Sequence, residues 1–248
     1  MRPIPAIQTG AKDGANHINM AKKEQQKESV LENSDVLAHS LEDAEFWFER
    51  NSKLVIGISV VVLLIVAGYF GFNYYKASQN ELAQKEMFQA VYYFESDSLK
   101  LALNGDGNNL GFIDIADEYG ISEAGNLANF YAGASFLKQG NYESAIQYLD
   151  KFSSNDLLVQ PRAYSLIGDA YMELKKYEDA VKYYNKAADY KPNKFFTPTY
   201  LMKAALAYEK LNQNDKAKET YEKIITKFWD SSEYQNARKY KARLETNS

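Results

Sequence analysis

The sequence predicts an all-α protein in which a single N-terminal transmembrane helix precedes a right-handed superhelix of antiparallel helix pairs. Two observations predict this fold. A strongly apolar run of 19 residues without a charge occupies positions 54–72. The C-terminal half then contains three segments that align on one another with a helix–turn–helix period, at 126–158, 161–193 and 198–230.

The apolar run has the length of a membrane span. As a helix it is about 28 Å long, which matches the ~30 Å hydrocarbon core of a bilayer. It is too long for the apolar part of a cleavable signal peptide and starts after 53 residues. Aromatic residues flank it on both sides, as at membrane–water interfaces: Phe46, Trp47, Phe48, Tyr69, Tyr74 and Tyr75. We therefore expect a transmembrane helix over 46–77.

The residues before this helix, 1–45, form a predicted tail. Within it, 1–40 are polar and lack helical or strand periodicity, so we expect them to be disordered. Residues 41–50 combine aromatic and acidic side chains and are expected to form a short helix at the water–lipid boundary.

The residues after the span divide into a connector, 78–121, and a repeat domain, 122–248. In the connector, apolar residues recur at helical spacing as far as Leu103, where the Asn- and Gly-rich stretch 104–109 predicts a turn. The repeat domain is expected to close with an amphipathic capping helix that begins at Tyr234.

The three aligned segments resemble tetratricopeptide repeats. On the first helix of each, a small residue allows a close approach of the second helix: Gly133, Gly168 and Ala205. On the second helix, a large residue is expected to face it: Leu149, Tyr184 and Tyr221. The resemblance implies stacked helix pairs whose first helices line a groove.

By position, eight first-helix residues are expected to line this groove: Phe130, Ala134, Leu137, Ser165, Asp169, Met172, Met202 and Leu206. Methionines in an apolar groove suit a peptide or helix bound with relaxed specificity. The alternative is that the chain's own helix over 78–103 fills the groove. Inside the span, Ala67, Gly68 and Gly71 form a small-residue stripe that could seat another membrane helix.

Composition argues against catalysis and against several ligands. The chain has no cysteine, and its two histidines lie in the tail, so the repeats lack the usual metal ligands and nucleophile–base pairs. We expect no cofactor and no enzyme activity. The turn at 104–109 lacks the glycine and the closing glutamate of a calcium loop. The net charge of −4 argues against nucleic acid as a partner.

The layout also resembles the YfgM-type membrane proteins of bacteria. The resemblance rests on the sequence EFWFERNSKLVIGI at 45–58, the sequence FGFNYYKAS at 70–78 and the repeats that follow. It implies an accessory subunit of the SecYEG translocon in the bacterial inner membrane, with a cytoplasmic N-terminus and a periplasmic repeat domain. The implied partners are SecYEG, a membrane-anchored periplasmic chaperone, translocating polypeptides and membrane lipid.

Two other functions remain open at this point. One is an envelope organiser that binds cell-division or wall-synthesis partners, and the other is a targeting receptor whose repeats face the cytoplasm. The charges beside the span do not choose between the orientations, because two basic residues lie on each side: Arg50, Lys53, Lys76 and Lys85.

Overall fold

The computed structural model describes residues 38–39 and 41–246, and the regular structure of this part is entirely α-helical. The predicted fold class, all-helical with tetratricopeptide-like repeats, is confirmed. The predicted disorder of 1–40 falls outside the described residues, apart from 38 and 39. The chain divides into two units at the Gly71–Phe72 bond, and each unit is described separately below.

The first unit is helical from residue 41 to Gly71, with one turn at Asn51. The side-chain amide of Asn51 donates a 2.8 Å hydrogen bond to the carbonyl oxygen of Trp47 at this turn. Helix α1 begins directly after it and extends over Ser52–Glu95. The large apolar side chains of its N-terminal run are mostly exposed, and its length and composition make it a candidate membrane span.

The end of α1 corrects the expectation of helix as far as Leu103. The helix ends at Glu95, because Asp97 adopts a left-handed conformation with φ 59°. The amide of Ser98 then bonds back to the carbonyl of Tyr93 at 2.8 Å, which caps the helix end. A separate short helix, α2, follows over Leu99–Asn104.

The predicted turn after α2 is organised by one carboxylate. Asp106 accepts the backbone amides of Asn108 at 2.8 Å and Asn109 at 2.7 Å, and the hydroxyl of Tyr93 at 2.7 Å. These bonds, that of Tyr93 above all, hold the pKa of Asp106 far below its usual range. Gly105 is required here, because at φ 75° an added Cβ would lie 2.2 Å from the carbonyl oxygen of Asn109.

The remaining helices are the last helix of the connector, three antiparallel pairs and a C-terminal capping helix. They are α3 (Phe112–Glu118), α4 (Glu123–Lys138), α5 (Tyr142–Lys151), α6 (Val159–Glu173), α7 (Tyr177–Asp189), α8 (Thr197–Lys210), α9 (Asn214–Lys227) and α10 (Tyr234–Thr246). From α3 onward, each helix packs on the next along the chain, which is the arrangement of a repeat solenoid.

Small and large residues meet within the pairs as the repeat pattern predicts. A Cβ added to Gly133 would lie 2.5 Å from Cγ of Leu149, and one added to Gly168 would lie 2.6 Å from the ring of Tyr184. In the first two pairs, the helices therefore approach too closely for a larger residue at these glycines. The part of α1 that follows the apolar run joins this core, since Ala83, Met87 and Ala90 are buried in the same cluster as residues of α3 and α4.

Candidate partner-binding surface

An open cavity of about 680 Å³ lies between α4 and α6, the first helices of the first two repeats. Its lining is mostly apolar and comes from three helices and one loop: Phe94, Leu127, Phe130, Tyr131, Ala134, Leu137, Lys138, Leu158, Val159, Arg162 and Leu166. A space of this size accommodates a few side chains of a bound peptide.

Three of the predicted groove residues, Phe130, Ala134 and Leu137, line this cavity. Phe130 is only 9% exposed, and its ring packs 5.4 Å from that of Phe152. Leu137 is half-buried and offers more of its surface. Phe130 is therefore part of the cavity floor and of the core at once.

The structure also shows what the connector helix contributes to the groove. Phe94 near the end of α1 forms one wall of the cavity, where its ring packs 5.3 Å from that of Tyr131. The wall leaves the cavity between α4 and α6 open.

Two basic residues border the cavity. Lys138 is bound to Asp97 at 2.6 Å and lies over the ring of Phe94. Arg162 is exposed, and among residues 38–39 and 41–246 no ion pair to its guanidinium is found. An apolar segment carrying an acidic residue would complement both the cavity and this cation.

Further along, between α6 and α8, the groove is polar. The ammonium of Lys203 reaches across and bonds both carboxylate oxygens of Asp169, at 2.8 and 2.7 Å, and the hydroxyl of Ser165 at 3.1 Å. Tyr184 donates its hydroxyl to the same carboxylate at 2.7 Å. Ser165 and Asp169 are thus engaged within the chain, and sequence reasoning missed Lys203 as their partner.

The other three predicted groove residues lie on the same two helices. Met202 is buried, Met172 is half-buried and Leu206 is exposed. Of the three, Leu206 alone is open to a partner over much of its surface. The part of the groove that an apolar ligand can enter is therefore the cavity between α4 and α6.

Buried tyrosine–carboxylate pairs recur in the repeats. Tyr184 donates to Asp169, and Tyr221 donates to Glu209 at 2.7 Å, where Glu209 also pairs with Arg243. Burial first, and the neighbouring carboxylate second, raises the pKa of Tyr184 far above its ordinary value of 10. Burial and the bond to Glu209 do the same for Tyr221. Both hydroxyls therefore stay protonated and serve as donors at neutral pH.

These raised pKa values predict alkaline unfolding of the repeats. Because the folded state holds each proton more tightly, the stabilisation is complete below the unfolded pKa near 10 and is lost as the pH rises above it. We expect Tyr184→Phe and Tyr221→Phe to reduce this pH dependence while lowering stability at neutral pH by roughly 1 kcal/mol each. Denaturant unfolding of the full chain at several pH values measures both effects. The exposed substitution Tyr92→Phe is the control, and an equal reduction in that variant would contradict the assignment.

The small-residue stripe of the span lies on an open helical surface. Ala67, Gly68 and Gly71 are all exposed, and a Cβ added to Gly68 or Gly71 meets nothing within 4 Å among the described residues. Contact of this stripe with another membrane helix stays a prediction.

Comparisons with known proteins agree with the repeat architecture. Tetratricopeptide-repeat family models match residues 128–194 and 200–231. Two crystal structures of the nearly identical TPR-like repeats of a kinesin-light-chain-like protein from Podosopora anserina are similar in fold, each with a TM-score of 0.50. Their sequence identities are 13% and 12%; each match covers 68% of this chain, and 84% and 85% of the respective structures. A search of curated proteins returns no match.

The chain therefore carries tetratricopeptide-like repeats after a candidate membrane span. Repeats of this kind indicate a protein–protein interaction scaffold, and proteins built from them are typically not enzymes.

Proposed function

We propose that this protein is a membrane-anchored scaffold that holds an apolar segment of a partner protein in the cavity between α4 and α6. The observation that carries the proposal is the open apolar cavity itself, bordered by Arg162. An apolar pocket that remains accessible in a folded domain is a common place for a partner's anchor residues.

The setting we propose is the periplasmic face of the bacterial inner membrane, beside the SecYEG translocon. Support comes from the resemblance at 45–58 and 70–78 to a family with that arrangement. The occupant of the cavity would then be a membrane-anchored chaperone or a newly translocated polypeptide. The stripe of Ala67, Gly68 and Gly71 would contact a translocon helix, because small residues allow membrane helices to approach closely.

Site-specific crosslinking in intact membranes tests both contacts. A photoreactive residue at Leu137 faces the cavity, and one at Gly71 faces the proposed helix contact. We expect crosslinks from Leu137 to a chaperone or a secreted protein, and from Gly71 to a translocon subunit. Crosslinks from Gly71 to cell-division proteins would replace the translocon assignment with the envelope-organiser function, and crosslinks from Leu137 to cytoplasmic proteins would reverse the topology.

Charge substitutions test whether the cavity is the binding site. For this test the photoreactive residue is placed at Leu166, which also lines the cavity. Leu158→Glu, combined with Leu137→Glu, should abolish its crosslink to the partner, because an apolar ligand cannot satisfy the introduced carboxylates. Leu101→Glu is the matched control, since Leu101 is 40% exposed and Leu158 47%, and Leu101 does not line the cavity. Phe130 and Met202 are unsuitable, because each is 9% exposed and a charge there would disturb folding. Unchanged crosslinking in a stably folded double variant would show that the cavity is not the binding site.

A further inference from the structure

We infer that one edge of the repeat domain rests on the bilayer surface through a row of exposed apolar residues. This loop row consists of Ile121, Leu157, Phe195 and Trp229. The inference goes beyond the proposed function, because it concerns lipid and does not depend on which protein occupies the cavity.

The members of the loop row recur at equivalent places in the repeats. Ile121, Leu157 and Phe195 each stand two residues before the first residue of α4, α6 and α8, and Trp229 lies in the loop before α10. They are 46%, 44%, 73% and 70% exposed. The repeat core does not need large apolar side chains at these positions, since they are not packed into it.

Contacts between successive loops place the row along one edge. At the start of α4, Asn126 exchanges two hydrogen bonds with the backbone of Ser153, at 2.8 and 3.1 Å. The loop before α8 contacts the loop before α6, because the hydroxyl of Tyr190 donates a 2.9 Å hydrogen bond to the carbonyl of Ser154. The loop before α10 contacts the loop before α8 through the ion pair of Asp230 and Lys194, at 3.3 Å. The four loops are therefore neighbours in chain order.

The same edge lies beside Asn80 of α1. The amide of Ala124, in the first turn of α4, donates a 2.9 Å hydrogen bond to the side chain of Asn80 in α1. At the other end of α4, Lys138 pairs with Asp97 just beyond α1. The two helices therefore run in the same direction, with the beginning of α4 beside Asn80.

Along α1, Asn80 is separated from Phe72 by a short stretch of helix. Asn80 follows Phe72, the last residue of the apolar run, by eight residues, which is about 12 Å of helix. The headgroup region adds roughly 5 to 8 Å on each side of the hydrocarbon core, which leaves about 4 to 7 Å for an exposed side chain near Asn80 to bridge. The opposite edge, at the far end of the 16-residue helix α4, lies about 24 Å farther away.

The chemistry of the loop row favours lipid as its occupant. Its largest members are Phe195 and Trp229, and the ammonium of Lys194 lies over the Phe195 ring. Aromatic rings beside a lysine are typical of membrane–water interfaces, where the ring enters and the charge stays in water. The exposed apolar side chains lie on separate loops, with Leu158 next to Leu157 and Phe196 next to Phe195. A fluid bilayer conforms to separated apolar tips, whereas a protein partner is expected to cover one continuous patch.

Lipid quenching of tryptophan fluorescence tests the inference. The chain has two tryptophans, so Trp47→Phe leaves Trp229 as the single fluorophore. The full chain is reconstituted into phosphatidylcholine vesicles with or without brominated acyl chains. We expect the brominated lipid to reduce Trp229 emission several-fold more than it reduces the emission of a tryptophan at the opposite edge of the domain, because bromine quenches only at close approach.

The matched control moves the tryptophan to the opposite edge of the domain. Trp47→Phe, Trp229→Phe and Gln139→Trp together place it at an exposed position just after α4. In addition, Phe195→Asp in the Trp229 reporter should reduce the quenching. Equal quenching at positions 229 and 139 would overturn the inference. It would also be overturned if Trp229 were shielded from an aqueous quencher without responding to brominated lipid, since a protein or a second copy would then cover the row.

Discussion

Replacing Gly168 by leucine is expected to destabilise the repeat domain by about 1–3 kcal/mol, because the new side chain has no room. A Cβ alone would lie 2.6 Å from the Tyr184 ring. That ring is 3% exposed, and its hydroxyl is bound to Asp169, so it cannot turn away without losing a buried hydrogen bond. Denaturant unfolding of the full chain measures the loss.

Two controls separate overpacking from the general effect of a substitution. Gly168→Ala should be less destabilising than Gly168→Leu, because it adds a single methyl group and the better helix propensity of alanine offsets part of the contact. The third repeat already has Ala205 at the equivalent position, opposite Tyr221. Glu173→Leu introduces leucine at an exposed site of the same helix and should be nearly neutral. If Gly168→Leu were as stable as Glu173→Leu, the repeat register would be wrong.

The register could be predicted because it follows from local chemistry. A glycine or alanine at a fixed offset from a large residue on the next helix has few structural meanings, and Gly133 and Gly168 do contact Leu149 and Tyr184. The apolar run could also be recognised from the sequence as a candidate membrane span, because its length matches a bilayer and no charge interrupts it. Its role as a span remains that of a candidate.

Other features depended on distances that a linear pattern does not contain. The Lys203–Asp169 bridge joins residues 34 positions apart on different repeats, and helical periodicity does not determine which polar side chains meet. Phe130 and Met202 are predicted to line the groove, and each is only 9% exposed, although Phe130 lines the cavity. Helical periodicity does not determine how much of a first-helix residue packs into the seam between neighbouring helices. The end of α1 before Asp97 could have been predicted from the turn-forming sequence Ser96-Asp97-Ser98. The helical spacing of the apolar residues on both sides favoured a continuous helix instead.

The second large effect is expected from Asp169→Leu. This substitution removes the acceptor of both Lys203 and Tyr184, and it leaves a buried tyrosine hydroxyl without its partner. We expect a loss of about 1–3 kcal/mol. The side chains of Lys203 and Asp169 are 34% and 29% exposed, so solvent screens the charge pair and most of the loss should come from the hydroxyl.

A double variant distinguishes the contribution of the pair from the cost of breaking it. Lys203→Met alone leaves Asp169 with the hydrogen bond from Tyr184, so its effect should be smaller than that of Asp169→Leu. The double variant Asp169→Leu, Lys203→Met should be more stable than the sum of the single effects predicts, because no ammonium then lacks its carboxylate. Unfolding of all four proteins under the same conditions gives this coupling. Strict additivity would mean that the bridge between α6 and α8 contributes no coupling energy to the folded state.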